Sequence, residues 1–405
     1  MEYFKLLKRK TIAILWLSQL LSAIGDQIYL VSACWLAAQI SPRALACVAA
    51  SEYVSAFLFS FVAGVLTDRF NKKKLMIYAD LGRAIAVFTL PIASLYGHIS
   101  TMHLVLVGIV LGSLGVLFDP CLVATIPVLT DERSLLQATN GLIDFTKRLA
   151  RALGPAIAGL LASFVAIHFL FSLNAISFLI STAGILYVSS QVDIEDINKR
   201  ASDERGLFWG ELLGALRLIK THAILAWEFG SFFFANIAYA LIYTTGLPLL
   251  AKERFGNNIA AYGLLISIYG VVSIIANLIE GNRKIRKPAL TVFRAYALWG
   301  LGFSILALAP NIVLAGFGLA VAAISAPAVF ITIVTMVQRD IPETDTGKVY
   351  SFRTAIMYSG LGLGLLLSSY LYGKFTTIMV MPCAAAAFLV IGISGILRFY
   401  KKEKV

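Results

Sequence analysis

The chain is dominated by apolar stretches of twenty or more residues that recur along nearly its whole length. At a rise of about 1.5 Å per residue, a helical stretch of this kind crosses a hydrocarbon core of roughly 30 Å. Hydrophobic residues make up 59% of the 405 residues and charged residues only 14%. A soluble domain carries about 25% charged residues. The sequence therefore excludes an ordinary soluble enzyme and predicts an all-α polytopic membrane protein.

Charge clusters and breaks at proline, glycine and asparagine divide the chain into twelve predicted transmembrane helices. The longest polar stretch separates them six and six, and its apolar spacing predicts a short amphipathic helix on the inner membrane surface. We expect an N-terminal six-helix bundle at 1–190, a cytoplasmic linker at 191–221 and a C-terminal six-helix bundle at 222–405. The predicted spans are 11–39, 43–67, 75–96, 103–126, 139–165, 167–189, 222–250, 258–280, 288–309, 311–337, 348–373 and 376–400.

The net charge of +12 comes from short basic clusters between the apolar stretches, at 5–10, 69–74, 283–287 and 398–404. No basic domain or aromatic-interleaved patch is present, which argues against a nucleic-acid partner. An N-terminus inside the cell puts all four clusters on the inner side. Because cytoplasmic loops carry an excess of Lys and Arg, we expect both termini to be cytoplasmic.

The two halves also resemble each other in sequence. The segment around Pro120 is similar to the segment around Pro327, and the same offset aligns Pro155 with Gly362 in two glycine-rich helices. Together with the six-plus-six layout, this similarity predicts two pseudo-symmetric bundles, the arrangement that transporters use for alternating access.

No pattern in the chain indicates catalysis or a resident metal. The four cysteines lie in apolar stretches without Cys-x-x-Cys spacing, and His98 and His103 have no further ligand type nearby. There is no nucleophile motif, no clustered histidine and acid, and no Walker sequence for ATP. We expect no enzyme activity, no cofactor and no metal site.

Two motifs point to a known family. The loop after the second predicted span reads Gly64-Val-Leu-Thr-Asp68-Arg69-Phe-Asn71-Lys-Lys-Lys. It resembles the G-x-x-x-D-R-x-x-R/K-R/K signature of the major facilitator superfamily, with Asn71 in place of the usual second glycine. The fifth span contains Gly154-Pro155 followed by Gly159, similar to the antiporter signature of exporters in that superfamily, with Ala158 replacing a glycine.

Further stretches, LWLSQLLSAIGDQ and GKVYSFRTA, resemble the bacterial branch that contains macrolide-efflux proteins and the enterobactin exporter. The resemblance implies the major facilitator fold, a bacterial inner-membrane location and secondary transport. It also implies a conformational latch formed by Gly64, Asp68 and Arg69, with Asp119 as a partner. Asp80 and Arg83 can pair at i and i+3 and extend this network, or form only a local ion pair.

Carboxylates in the middle of a span are costly, so each one is a candidate for ion coupling. Asp26 lies near the midpoint of the first predicted span and Glu52 near that of the second. We expect these two acids to carry protons, the alternative being hydrogen bonding within the N-terminal bundle. Arg151, on the fifth span, is expected to meet an anionic substrate or to pair with an acid of the same bundle.

The seventh and eighth spans carry aromatic side chains at helical spacing. Rings with a few polar tips suit a pocket for a bulky amphipathic ligand, although helix contacts also use such stripes. Glu228 lies near the inner end of the seventh span, where solvation by water suffices to explain it. The predicted substrate-binding side chains are Phe232, Asn236, Tyr239, Tyr243 and Tyr269.

We therefore expect a monomeric transporter that works by alternating access and exports a siderophore or drug-like compound in exchange for protons. Its partners are a small-molecule substrate, protons and membrane lipids. An importer or uniporter of a metal or metal complex, and a lysophospholipid flippase, remain open as alternatives.

Overall fold

The computed structural model describes residues 8–97, 99–129, 133–191, 216–219, 221–281, 283 and 285–400. The predicted amphipathic helix of the linker lies almost wholly outside these ranges. All regular elements of the described first half are helices: α1 Lys10–Ile40, α2 Pro42–Arg69, α3 Lys72–Leu95, α4 Thr101–Leu129, α5 Arg133–Leu161 and α6 Ile167–Gln191.

The second half is also helical in its described part. Its seventh span is a rod of three consecutive pieces, α7 Ala223–Tyr239, a π-helix at Ala240–Gly246 and α8 Leu247–Arg254. The remaining helices are α9 Ile259–Gly281, α10 Pro288–Leu308, α11 Ile312–Asp340, α12 Glu343–Lys374 and α13 Thr377–Phe399.

Ten helical stretches in the described ranges are long and apolar enough to cross a membrane. They comprise α1, α3, most of α4, α6, the rod from Ala223 to Arg254, α9, α10, most of α11, residues 352–374 of α12, and α13. α2 and α5, with 28 and 29 residues, correspond to the second and fifth predicted spans. The all-helical membrane fold is thus confirmed, whereas the count of twelve spans stays a prediction.

Several helices extend beyond the apolar stretches that predicted them. The fifth predicted span starts at residue 139, but α5 begins at Arg133; the eleventh starts at 348, but α12 begins at Glu343. Polar residues outside the hydrocarbon core continue a helix without difficulty, so hydropathy marks the part within the membrane and not the helix end.

Asn71 shows why the departure from the loop signature is compatible with the fold. Its backbone is extended, and its side-chain oxygen accepts a hydrogen bond from the Lys74 backbone N–H at 3.1 Å. Asparagine is among the preferred residues for this N-cap role. The residue that replaces the family glycine therefore starts α3.

The chain forms two compact units. The N-terminal unit contains α1, α2 from Val48 onward and α3 to α6, and the C-terminal unit contains the start of α2 and α7 to α13. Small residues set the helix packing inside each unit. A Cβ atom on Gly112 of α4 would lie 2.2 Å from the Glu52 carbonyl oxygen of α2, so only glycine allows this approach.

Candidate functional site

A cavity of about 260 Å³ lies inside the N-terminal unit, among α1, α3, α4 and α5. Most of its wall surface is apolar, with Leu15, Phe118 and Leu122 among the apolar side chains. Two acidic and three basic side chains also line the cavity. This combination suits a ligand that has a polar or charged group and an apolar body. The charged lining residues are Asp26, Arg83, Asp119, Lys147 and Arg151.

Arg83 is held in a fixed position at the cavity wall. Its guanidinium forms a salt bridge with Asp80, which is fully buried one turn earlier on α3. The same guanidinium lies 4.6 Å from the ring centroids of both Phe118 and Phe178. Two aromatic faces and a carboxylate compensate this buried cation, and they fix its direction.

Asp26 has charged neighbours in the N-terminal unit. It lines the cavity together with Arg83 and lies within electrostatic range of Arg83 and Glu52. Glu52 is not among the residues that line this cavity; it lies on α2 where Gly108 and Gly112 bring α4 close. The structure thus places the two predicted proton carriers near each other but only one of them at the cavity.

A second ion pair lines the cavity. Lys147 Nζ lies 2.9 Å from Asp119 Oδ2, with both side chains about half exposed. Arg151 lines the same cavity one turn further along α5 and donates from Nε to the Lys147 carbonyl oxygen at 3.3 Å. Asp119, expected as a latch partner, is thus paired with Lys147 of α5. The predicted latch contacts of Gly64, Asp68 and Arg69 lie outside what the structure describes.

Hydrogen bonds and close packing hold α1 against its neighbours around the cavity. Trp16 Nε1 donates to Thr146 Oγ1 of α5, and Gln19 Nε2 donates to Ser181 Oγ of α6, each at 2.8 Å. A Cβ atom on Gly154 would lie only 2.4 Å from Cβ of Gln27. Gly154, which precedes Pro155 in the antiporter-like motif, thus lets α5 approach α1 closely beside the cavity. Pro155 and Gly159 of the same motif are buried.

In the C-terminal unit, the predicted aromatic residues form a continuous array. The rings of Tyr239 and Tyr243 are stacked with centroids 4.9 Å apart, and Tyr269 of α9 lies 4.9 Å from Tyr243. Trp299 of α10 continues the array at 6.2 Å from Tyr239. Tyr243 belongs to the π-helical segment, a geometry that often occurs at functional sites.

Phe232 and Asn236, two other predicted substrate-binding residues, contact α12. The Asn236 side-chain amide donates to the Phe232 carbonyl oxygen at 2.7 Å, and Asn236 Cβ packs where Gly360 brings α12 close. The Phe232 ring lies under the Arg353 guanidinium, 4.1 Å from ring centroid to Cζ. These two members of the predicted stripe contact α12 instead of joining the tyrosine array.

The expectation that water solvates Glu228 is wrong, because its side chain is fully buried. Tyr296 donates from its hydroxyl to Glu228 Oε1 at 3.3 Å, and Arg353 NH2 lies 3.8 Å from the same oxygen. Hydropathy alone did not reveal this cluster, since the three residues come from α7, α10 and α12. The only sequence signal was Arg353 within GKVYSFRTA, quoted above for its family resemblance.

Ten apolar spans define the class of the protein, an integral membrane protein, and the charged cavity inside one unit is its candidate binding site. In the described part of the chain, no three His, Cys, Asp or Glu side chains come together to hold a metal ion. The model of the transmembrane secretion effector family of MFS transporters matches residues 2–403, and the chain belongs to that family.

Similar proteins of bacteria include two with named export functions. Macrolide efflux protein A of Streptococcus pyogenes is 25% identical over 77% of this chain and 76% of its own length. The enterobactin exporter EntS of Escherichia coli O1:K1 / APEC is 23% identical over 83% of this chain and 79% of its own. The uncharacterized MFS-type transporter YvqJ of Bacillus subtilis (strain 168) is 22% identical over 96% of this chain and 92% of its own.

Among solved structures, a crystal structure of a mutant nucleoside transporter NupG matches with a TM-score of 0.72 and 15% identity. The match covers 96% of this chain and 99% of that one. At this identity the similarity concerns the fold alone.

Proposed function

We propose that this protein is a monomeric secondary transporter of the bacterial inner membrane, which exports a bulky amphipathic small molecule in exchange for protons. The observation that carries this proposal is the cavity of about 260 Å³ in the N-terminal unit, where Asp26, Arg83 and Arg151 line the wall together with apolar side chains. A siderophore or drug-like cargo is supported by the relatives, which include a macrolide efflux protein and an enterobactin exporter. Alternating access is the mechanism expected for two related helix bundles.

In this proposal Asp26 takes up a proton when the cavity is open to the outside and releases it inside, with Glu52 as a second carrier. The neutral acid is favoured in an apolar cavity, and the nearby Arg83 cation favours the ionised acid. These opposing influences support a carboxyl whose charge changes with the polarity of its surroundings. Substrate and proton would then alternate, because filling the cavity changes that polarity.

Candidate substrate contacts are proposed within each unit. Arg151 offers a guanidinium at the cavity for an anionic group. Tyr239 and Tyr243 offer stacked rings, and Tyr269 a tilted one, for an apolar body. Phe232 and Asn236 are proposed as further substrate contacts beside α12. Gly64, Asp68 and Arg69 are proposed to act as the conformational latch together with Asp80, Arg83 and Asp119.

The test uses inverted membrane vesicles with an imposed pH gradient and either a macrolide or enterobactin as the transported probe. Asp26→Asn and Glu52→Gln, alone and together, are expected to reduce gradient-driven uptake at least about tenfold, because a positioned proton-transfer group typically contributes about 100-fold or more to the step that needs it. Substrate counterflow without a gradient should continue, because exchange needs binding and alternation but no proton release.

Glu280→Gln is the matched control, since Glu280 is a carboxylate of α9 outside the cavity. Gradient-driven uptake that persists in the Asp26 and Glu52 double variant would refute proton coupling by these acids. Accumulation of both probes only in right-side-out vesicles would refute export and indicate an importer.

A further inference from the structure

The surface of the C-terminal unit has a groove of about 510 Å³ between α7 and α13. Its lining is almost entirely apolar and includes Trp227, Gly230 and Phe234 on α7, and Val390, Ile391 and Ser394 on α13. Phe234 and Val390 are 60% and 65% exposed. Because both helices are apolar spans, side chains exposed to this degree in their middle face lipid.

One end of the groove is basic. Arg398 lies one turn beyond Ser394 on α13, and its guanidinium carbon is 4.4 Å from the centroid of the Trp227 ring. The ring fixes the guanidinium at the mouth of the groove, where α7 begins and α13 ends. The opposite end, at Phe234 and Ala387, is lined by apolar side chains only.

We propose that this groove binds one anionic phospholipid, with an acyl chain between α7 and α13 and the phosphate at Arg398. Charge complementarity selects this occupant: an apolar groove alone accepts any chain, but a fixed guanidinium at its end favours a headgroup with net negative charge. Trp227 also suits this position, since tryptophan is enriched where the hydrocarbon core meets the headgroups.

The site lies in the inner leaflet. The ends of α7 and α13 that carry Trp227 and Arg398 belong to the basic side of the chain, which the positive-inside rule places in the cytoplasm. That leaflet surface attracts cations through its own anionic lipids. A lipid held here is a bound component of the C-terminal unit and is independent of the cargo proposed above.

Gly230 provides a direct way to close the groove. It lies in the lining, and a Cβ atom added to it meets no atom within 4 Å, so a larger side chain enters open space without a clash. Gly230→Leu should fill the groove and leave the fold intact, because leucine also favours the helix over glycine. Gly115→Leu is the matched control, since Gly115 of α4 is equally open and lies in the other unit.

The experiment measures quenching of tryptophan fluorescence in full-length protein reconstituted into phosphatidylcholine vesicles. The quencher is phosphatidylglycerol brominated on its acyl chain, compared with equally brominated phosphatidylcholine at the same mole fraction. The difference between the parent and Trp227→Phe isolates the Trp227 signal. We expect this signal to report about fivefold enrichment of phosphatidylglycerol, the scale of one arginine acting on one headgroup charge.

Arg398→Gln should abolish the preference for phosphatidylglycerol, while Arg286→Gln, at an exposed arginine of the loop after α9, should retain it. Gly230→Leu should reduce quenching by both lipids, and it preserves the test if Arg398→Gln does not fold. Equal quenching by both lipids in the parent protein would overturn the proposal. A preference that survives Arg398→Gln, or acyl-chain quenching that survives Gly230→Leu, would also overturn it.

Discussion

Glu228 and Arg353 form an almost fully buried ion pair, and this burial determines how each can be substituted. Glu228 is fully buried and the Arg353 side chain is only 12% exposed. Removing one partner leaves the other charge buried without compensation. The resulting loss of folding free energy exceeds the net stabilisation that the pair provides. Removing both charges together avoids that penalty.

We predict that Glu228→Gln destabilises the protein by about 3 kcal/mol, and that the double variant Glu228→Gln, Arg353→Gln recovers at least half of this loss. The measurement is the apparent Tm of purified protein in detergent. Arg283→Gln is the control, because its pair with Glu280 has an arginine that is 62% exposed, and such pairs contribute little. A Glu228→Gln variant as stable as the parent would mean that the carboxyl is neutral and the ion pair absent.

The candidate site could be predicted only in part from the sequence. Asp26, Glu52 and Arg151 stand out because charges are rare in apolar spans, and the i and i+3 spacing of Asp80 and Arg83 suggests their pair. Contacts between separate helices have no such local signal. The placement of Phe118 and Phe178 around Arg83, and of Tyr296 and Arg353 around Glu228, depends on how helices pack.

At the level of elements, the π-helix in the seventh span is the feature that hydropathy does not reveal. Ala240–Gly246 reads as an ordinary apolar helical segment, yet its hydrogen bonds connect residues five apart. A π segment redirects carbonyl groups, and here the Tyr372 hydroxyl of α12 donates to the Leu241 carbonyl oxygen at 2.8 Å. Gly246 leaves room for this hydroxyl, because its own Cβ would lie 2.7 Å from it.

We predict that Tyr372→Phe lowers stability by about 1–2 kcal/mol, since it removes a buried donor to the Leu241 carbonyl. The expected result is a lower apparent Tm without loss of expression. Tyr370→Phe serves as the control from the same helix, because Tyr370 is 56% exposed and its hydroxyl accepts a hydrogen bond from the exposed Lys374. Equal Tm values for the two variants would show that the hydroxyl does not stabilise the π segment.

The helices themselves were predictable because each apolar stretch must satisfy its own backbone hydrogen bonds in lipid. The ends of the helices were harder to predict. α5 and α12 continue into polar sequence, and Asn71 starts α3 through a cap that hydropathy does not detect. Length and apolarity identify a span, whereas capping and solvated turns decide where the helix stops.

For the whole molecule, topology depends on whether α2 and α5 cross the membrane. Both helices are long enough, with 28 and 29 residues, but neither is among the ten spans found in the described part of the chain. With a cytoplasmic N-terminus, twelve spans place the loop after α3 outside, the loop between α5 and α6 outside, and the loop after α9 inside. Omission of α2 alone would move the loop after α3 inside. Omission of α5 alone would move the loop between α5 and α6 inside.

Single cysteines in these loops distinguish the arrangements. Tyr96 and Phe164 are 89% and 78% exposed, and Arg286 is exposed in the loop after α9. Each is changed to cysteine in a background where Cys47 and Cys383, the two exposed native cysteines, are serine. We predict that a membrane-impermeant maleimide labels Tyr96→Cys and Phe164→Cys in intact cells, and Arg286→Cys only after permeabilisation.

The pattern of labelling assigns each helix separately. Protection of Tyr96→Cys would show that α2 does not cross the membrane, and protection of Phe164→Cys alone would show the same for α5. Labelling of Arg286→Cys in intact cells would show that the orientation of the C-terminal unit is the reverse of the predicted one. It would also move the Arg398 end of the lipid groove to the outer leaflet, because the spans from α9 to α13 follow one another and cross the membrane in alternating directions.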